Sequence, residues 1–216
     1  MDQTLKTRSD NLIRTALPFI AQEGWTWPAL IQGAIEGGYD EAILDLCFEG
    51  QVSQAVAHYS TMLDEEMVRK VSSLPLDTLK IRERIATCVL ARLEAMNSHK
   101  EVAHRMLRYL ALPSQILMAS KLIYKTVNVM WYEAGDQTTD FSFYTKRVTL
   151  AAVYSSTLIY WMRDDSQDFK ETRKFLERRL NDIMLIPRVK RKASQIIQAL
   201  WRSPFQPDKH SREDDK

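Results

Sequence analysis

The chain predicts an all-α fold of about ten helices, with a small helix-turn-helix-like head and a larger helical body. Three observations carry this. Six glycines and seven prolines in 216 residues are few, while Ala, Leu, Met, Glu, Gln and Arg abound, which is helical composition. Apolar residues recur at three- and four-residue spacing, and Val and Ile do not alternate with polar residues as in a half-buried strand. Breaks fall between the periodic stretches, at Gly24, Gly37-Gly38, Pro75, Pro113 and Pro187.

Taken in order, the first helix runs from about Asp2 to Glu23, with Leu12, Ile13, Ala16, Leu17 and Ile20 on one face and Pro18 as a candidate bend. Trp27 to Glu36 is the second, Pro28 suiting its first turn. Asp40 caps a short third helix to Glu49. Gln51 to Ser73 follows, then Asp77 to Met96, which carries Ile81, Ile85, Cys88, Val89, Leu93 and Met96 at helical spacing. Ser98 opens a helix to Ala111, and Pro113 starts a long one to about Ala134. After a loop, Phe141 to Arg163 is helical, then Asp168 to Ile186, then Pro187 to Arg202. Residues 1–73 are read as the head, 74–186 as the body, 187–203 as a terminal amphipathic helix and 204–216 as a disordered polar tail.

Charge separates the head from its outline. Between Arg14 and Arg69 there is no Lys or Arg, and Glu23, Glu36, Asp40, Glu41, Asp45, Glu49, Asp64, Glu65 and Glu66 give that window −9. The whole chain is +2, so the remainder sums to +11. A headpiece that grips DNA neutralises phosphates with basic residues. This one repels them, so no nucleic-acid partner is expected. The rival reading, a ligand-sensing transcriptional regulator, requires basic residues where Asp40 and Glu41 stand.

Catalytic signatures are missing. Glu101 and His104 form a lone Glu-x-x-His, whereas a di-iron bundle needs two such pairs and two further glutamates. There is no Gly-rich phosphate loop and no Gly-x-Ser-x-Gly elbow. No catalytic residue, cofactor or metal is therefore assigned. Cys47 and Cys88 are isolated, which predicts free thiols in a reducing compartment. The longest uncharged run, Val148 to Met162, has 15 residues, short of the ~20 that a bilayer requires. The polar start at Met1, without signal or transit character, predicts a bacterial cytosolic protein peripheral to the inner membrane. A processed mitochondrial form is the alternative, on the matrix side of the inner membrane.

Two consecutive helices are apolar around most of their circumference, one around Ile116–Trp131 and one around Val148–Met162. Such helices must be surrounded by other helices, a second subunit or a ligand. Core packing with one face in a dimer interface is one reading. A greasy tunnel is the other, with Ile116, Ile123, Val127, Met130, Leu150, Tyr154, Leu158 and Trp161 as its candidate lining. The terminal helix places Val189, Ile196, Ile197, Leu200 and Trp201 on one face, opposite Arg188, Arg191 and Lys192. Between Lys170 and Arg202 ten basic residues against three acidic ones give +7. That pattern suits the headgroup layer of an anionic membrane, and equally a stripe packed on the protein's own body.

One further stretch carries more specific information. Trp131, Ala134-Gly135-Asp136, Thr139-Asp140, Tyr144-Thr145-Lys146-Arg147, Ala151-Ala152-Val153-Tyr154, Asp164-Asp165-Ser166, Asp168-Phe169 and Phe175-Leu176-Glu177-Arg178-Arg179 occur in that order. This string resembles the ubiquinone (coenzyme Q) biosynthesis accessory proteins with a TetR-like fold, densely from Leu74 to Leu185 and more loosely in the head. The resemblance implies a TetR-like homodimer that binds isoprenoid lipid and sits at the membrane by its C-terminal helix. It also implies that quinone intermediates are presented to a di-iron demethoxyubiquinone hydroxylase. The partner-docking patch it implies is Trp131, Asp140, Phe143, Tyr144 and Arg147. Many members have Trp where this chain has Phe143, a change that keeps the aromatic anchor and loses the indole donor.

Overall fold

The computed structural model describes residues 3–136 and 141–182. Helices α1 (Gln3–Glu23), α2 (Trp27–Glu36), α3 (Glu41–Phe48) and α4 (Val52–Ser72) form the N-terminal part. Helices α5 (Ile81–Asn97), α6 (Lys100–Leu110), α7 (Ile116–Glu133), α8 (Phe141–Trp161) and α9 (170–182) follow, and no strand occurs among the described residues. The terminal helix expected over 187–203, with its membrane-facing Arg188, Val189, Arg191, Lys192, Ile196, Ile197, Leu200 and Trp201, lies outside the described residues, as does Asp140.

The head is fixed by its caps and one close crossing. Thr26 accepts the Ala29 N–H and Asp40 accepts the Ile43 N–H at 2.9 Å, so α2 and α3 start where side chains satisfy orphan donors. α1 continues through Pro18. It packs on α2 so closely that a Cβ at Gly33 would lie 2.4 Å from Ala16 Cα, which only glycine avoids. Leu12, Ile13, Ala16 and Ile20 of α1 meet Leu30, Leu44 and Phe48 in one continuous core.

α4 belongs to both parts. Its buried face (Ala55, Val56, Tyr59, Leu63, Met67, Val71) is shared between α1 on one side and α5 and α7 on the other. Two hydrogen bonds add to this join: Trp25 Nε1 donates to Val102 O at 3.3 Å and Arg105 Nε to Ala21 O at 2.9 Å. α7 and α8 run antiparallel side by side, since Trp131 and Asn128 near the end of α7 meet Lys146 and Arg147 near the start of α8.

Several starts differ from the sequence expectation, among them Ser98 and Asp168: α6 begins at Lys100, and Asp168 lies in the 3-10 turn Gln167–Phe169 before α9. Asp77 does not begin a helix. Leu76–Thr78 is a 3-10 turn, the chain extends through Leu79 and Lys80, and α5 begins at Ile81 with Glu83 accepting the Lys80 N–H. Arg84 explains the choice, because its guanidinium binds the carbonyls of Asp77, Leu79 and Ala134 and so ties the turn to the end of α7. Pro113 likewise opens a 3-10 turn, Pro113–Gln115, before α7 starts.

Candidate functional site

The walls of a cleft of about 310 Å³ come from α6 (Met106, Leu107, Leu110), α7 (Ala119, Leu122, Ile123) and α8 (Ser155, Leu158, Ile159). That volume is at the lower end for small-molecule sites. Of the candidate lining, Ile123, Tyr154 and Leu158 stand in the cleft. Val127, Met130, Leu150 and Trp161 are buried in the core instead, and Ile116 is 58% exposed at the start of α7. The reason is geometric: α7 and α8 turn one face inward to α4 and α5, another to the cleft, and leave a third uncovered. Leu117, Tyr124, Val148 and Ile159 are exposed on those helices, Leu117 at 78%.

The floor of the cleft is polar. Arg92, on the otherwise apolar stripe of α5, is 3% exposed and pairs with Asp64 of α4 at 2.7 Å. The Thr126 hydroxyl donates to the same carboxylate at 2.9 Å, and Arg92 also donates to the Ser60 and Tyr154 hydroxyls. Ser60, Arg92 and Thr126 were not among the sequence candidates. Their signal was a single arginine interrupting Ile85, Cys88, Val89, Leu93 and Met96. A wider groove of about 630 Å³ between α8 and α9 shares Ile159 with the cleft. Its walls include Arg163, Asp164 and Glu171, so it suits an apolar guest less.

At the other end of the α7–α8 pair, the described docking candidates form a cluster. The Arg147 guanidinium lies 3.3 Å from the Phe143 ring centre, with Nε donating to Asn128 at 2.8 Å and Nη1 bonding Asp136 at 3.3 Å. Lys146 also binds Asp136, at 2.7 Å, and stands over the Trp131 ring, whose Nε1 donates to Lys146 O. Arg147 and Asp136 are buried, Trp131 and Phe143 half-buried, and Tyr144 is 63% exposed. The chain reaches Asp136 through Gly135 at φ +86°, a left-handed position that disfavours any side chain. Asp136, Asn128 and Lys146 therefore hold a surface from which the Tyr144 ring projects.

The Glu-x-x-His pair is engaged in local contacts. Glu101 pairs with Arg105 at 3.2 Å, and the His104 ring packs edge-on against Trp161 at 5.3 Å. Burial first, then the Lys100 charge, lower the His104 pKa. No group of three or more His, Cys, Asp or Glu side chains able to hold a metal occurs among the described residues. Cys47 and Cys88 are free thiols, and burial pushes Cys88 up to about 12.

Residues 116–187 match the COQ9 family model. The matched segment is one third of the chain. The Homo sapiens ubiquinone biosynthesis protein COQ9, mitochondrial, is 34% identical over 180 residues, covering 80% of this chain and 56% of that protein. The Drosophila melanogaster protein of the same name is 28% identical over 181 residues, covering 79% of this chain and 53% of that protein. The chain thus spans little more than half the length of these relatives. Among solved structures, a TetR transcriptional regulator from Nitrosomonas europaea superposes with a TM-score of 0.65 at 23% identity, covering 80% of this chain and 95% of that one. The fold is TetR-like. The matched segment contains two walls of the cleft and the whole Arg147 cluster, whereas Arg92, Asp64 and the α6 wall precede it.

Proposed function

We propose that this chain is a non-catalytic lipid-binding accessory protein of ubiquinone biosynthesis. In this reading it takes isoprenoid quinone intermediates at a membrane surface and presents them to a di-iron demethoxyubiquinone hydroxylase. The observation that carries the reading is a cleft lined by aliphatic side chains from three helices, two of which lie in the segment that matches the COQ9 family model. Moving an apolar tail from bilayer to protein gains little, because both surroundings are apolar, so a carrier needs a dry site and a hold on the membrane surface. The aliphatic walls of the cleft suit the first. The basic amphipathic segment 187–203 supplies the second, each cation adding about 1 kcal/mol near anionic lipid.

The exposed Leu117, Tyr124 and Val148 suit a second copy of the chain, since monomers rarely leave so much contiguous hydrocarbon in water. The Arg147 cluster, with Tyr144 projecting, suits the hydroxylase. A mitochondrial setting follows if this chain shares the compartment that its relatives' names state.

The test is lipid extraction from the purified protein with mass spectrometry, beside flotation on anionic liposomes. Co-purified quinone or prenyl lipid, flotation, and loss of flotation on deleting 187–216 are the expected results. A dimer would show a solution mass twice 25.1 kDa. Lipid-free protein that stays at the bottom of the gradient would refute the reading.

A further inference from the structure

The polar floor of the cleft is more than a packed core needs. A buried ion pair is on balance no more stabilising than apolar side chains of equal volume. Burial alone therefore gives no reason for Arg92 and Asp64 to be there. The protons of the network can be followed one by one. Arg92 Nε donates to Asp64, one terminal nitrogen to the Ser60 hydroxyl at 3.0 Å, and the other to the Tyr154 oxygen and the Met96 sulfur. Tyr154 is 2% exposed and accepts from Arg92, but its own hydroxyl proton has no acceptor among the described residues. Burial pushes this phenol up to about 12, although Arg92 beside it pulls the other way, so the proton is present at neutral pH. Because Asp64 cancels the charge of Arg92, the floor offers a hydrogen-bond donor without net charge.

We infer that Tyr154 recognises the head of the bound ligand, donating to an uncharged acceptor, a carbonyl or ether oxygen, at the polar end of an otherwise apolar molecule. This rests on the cleft being a lipid site and adds what the site selects. An anionic headgroup fits poorly, since Arg92 is already engaged with Asp64 and a second anion would be buried without its own partner. The size fits a head rather than a tail. A cavity of about 150 Å³ holds benzene, so this cleft, at about 310 Å³, takes a substituted ring and the beginning of a chain. The rest of a long tail leaves past Ile159, which is 62% exposed on the outer rim of α8.

Calorimetric titration of the full chain, stripped of lipid, tests this with three probes. They are a dimethoxybenzoquinone bearing one prenyl unit, a prenyl hydrocarbon without the ring, and a short-chain anionic phospholipid. The wild type should bind the quinone most tightly. Tyr154→Phe should weaken the quinone about two- to tenfold, the range for one neutral hydrogen bond, and leave the hydrocarbon unchanged. Tyr59→Phe, which removes a buried hydroxyl outside the cleft, should change neither. Equal quinone affinity in wild type and Tyr154→Phe, or tighter binding of the anionic lipid, would overturn the inference. Leu158→Trp, which fills the cleft, separates the two readings. If it leaves all three affinities unaltered, the lipid site is elsewhere and both readings fall. If it abolishes quinone and hydrocarbon binding while Tyr154→Phe affects neither, head recognition alone falls.

Discussion

Helices α2 and α3 expose carboxylates beside Ile35 and Leu46, whereas α7 and α8 expose mostly hydrocarbon. In the head, Glu23, Glu36, Asp40, Glu41, Asp45 and Glu49 all face solvent. The three remaining acids of the −9 window sit on α4 and are answered: Asp64 by Arg92, Glu65 by Lys6 and Glu66 by Arg69. In the body, the uncovered residues include Ile116, Leu117, Tyr124, Tyr132, Val148 and Ile159. Yet the inward faces of both regions belong to one core that α4 joins. The same fold thus carries two unrelated outer surfaces, and stability resides in what they share. Head and body differ in what they can meet, an expectation that the following perturbations break or sharpen.

The largest effect should come from the join itself. Arg92→Leu leaves the Asp64 carboxylate buried without its cation, which costs about 3–5 kcal/mol. Urea denaturation followed by circular dichroism measures it. Adding Asp64→Leu to the same chain should recover most of the loss, because two apolar side chains replace a pair that was close to neutral in net worth. A loss below about 1 kcal/mol for the single variant would mean that water reaches Asp64, against its 4% exposure.

A smaller effect is expected where α8 hands over to α9. Asp164 accepts the Ser166 N–H at 2.9 Å and both the N–H and hydroxyl of Thr172, at 2.7 and 2.6 Å. Burial alone would raise this carboxyl, but those hydrogen bonds outweigh it and hold the pKa at about 2. In the unfolded chain it returns to about 3.9. The stabilisation is therefore complete above about pH 4 and is lost as the pH falls toward 2. Asp164→Ala should lower stability at neutral pH by about 1–2 kcal/mol, as for the loss of a helix cap. It should also flatten the acid limb of the stability profile. An unchanged acid limb would show that other carboxylates dominate it.

These two sites mark what sequence reading reaches. Helix α2 was legible to the residue, and α3 at its start, because Pro28, Gly37 and Asp40 are local signals, each acting on a backbone group within four positions. The start of α5 was not legible, since Arg84 fixes it through a carbonyl of Ala134, 50 residues away. The cleft was half legible for the same reason. All-round apolar patterning identified α7 and α8, but could not say which face looks inward, so Val127 and Met130 joined Ile123 as candidates. The α6 wall was missed because Met106, Leu107 and Leu110 carry only the three- and four-residue spacing common to the other helices. Arg92 carried a local signal, an arginine in a greasy row, whose meaning depended on Asp64, Thr126 and Tyr154 from three other helices.

The smallest effect expected is none at all. In the helix-turn-helix-like head, α3 is capped by Asp40, begins with Glu41 and continues with Asp45, none salt-bridged among the described residues. Titration with random duplex DNA at low salt should show no binding up to the highest protein concentration used. Reversing Asp40, Glu41 and Asp45 to Lys changes the window from −9 to −3, since each substitution adds two charges. If the head retains the docking shape and lacks only the charge, the triple variant should gain weak, non-specific binding. Its affinity should fall steeply with salt, the slope rising by about 0.9 for each phosphate neutralised. Wild-type binding at micromolar concentration with such a slope would instead mean that positive charge outside the head compensates, and the contrast between the two regions would fail at its acidic side. A triple variant that still ignores DNA would sharpen it, showing that the head has diverged in shape as well as in charge.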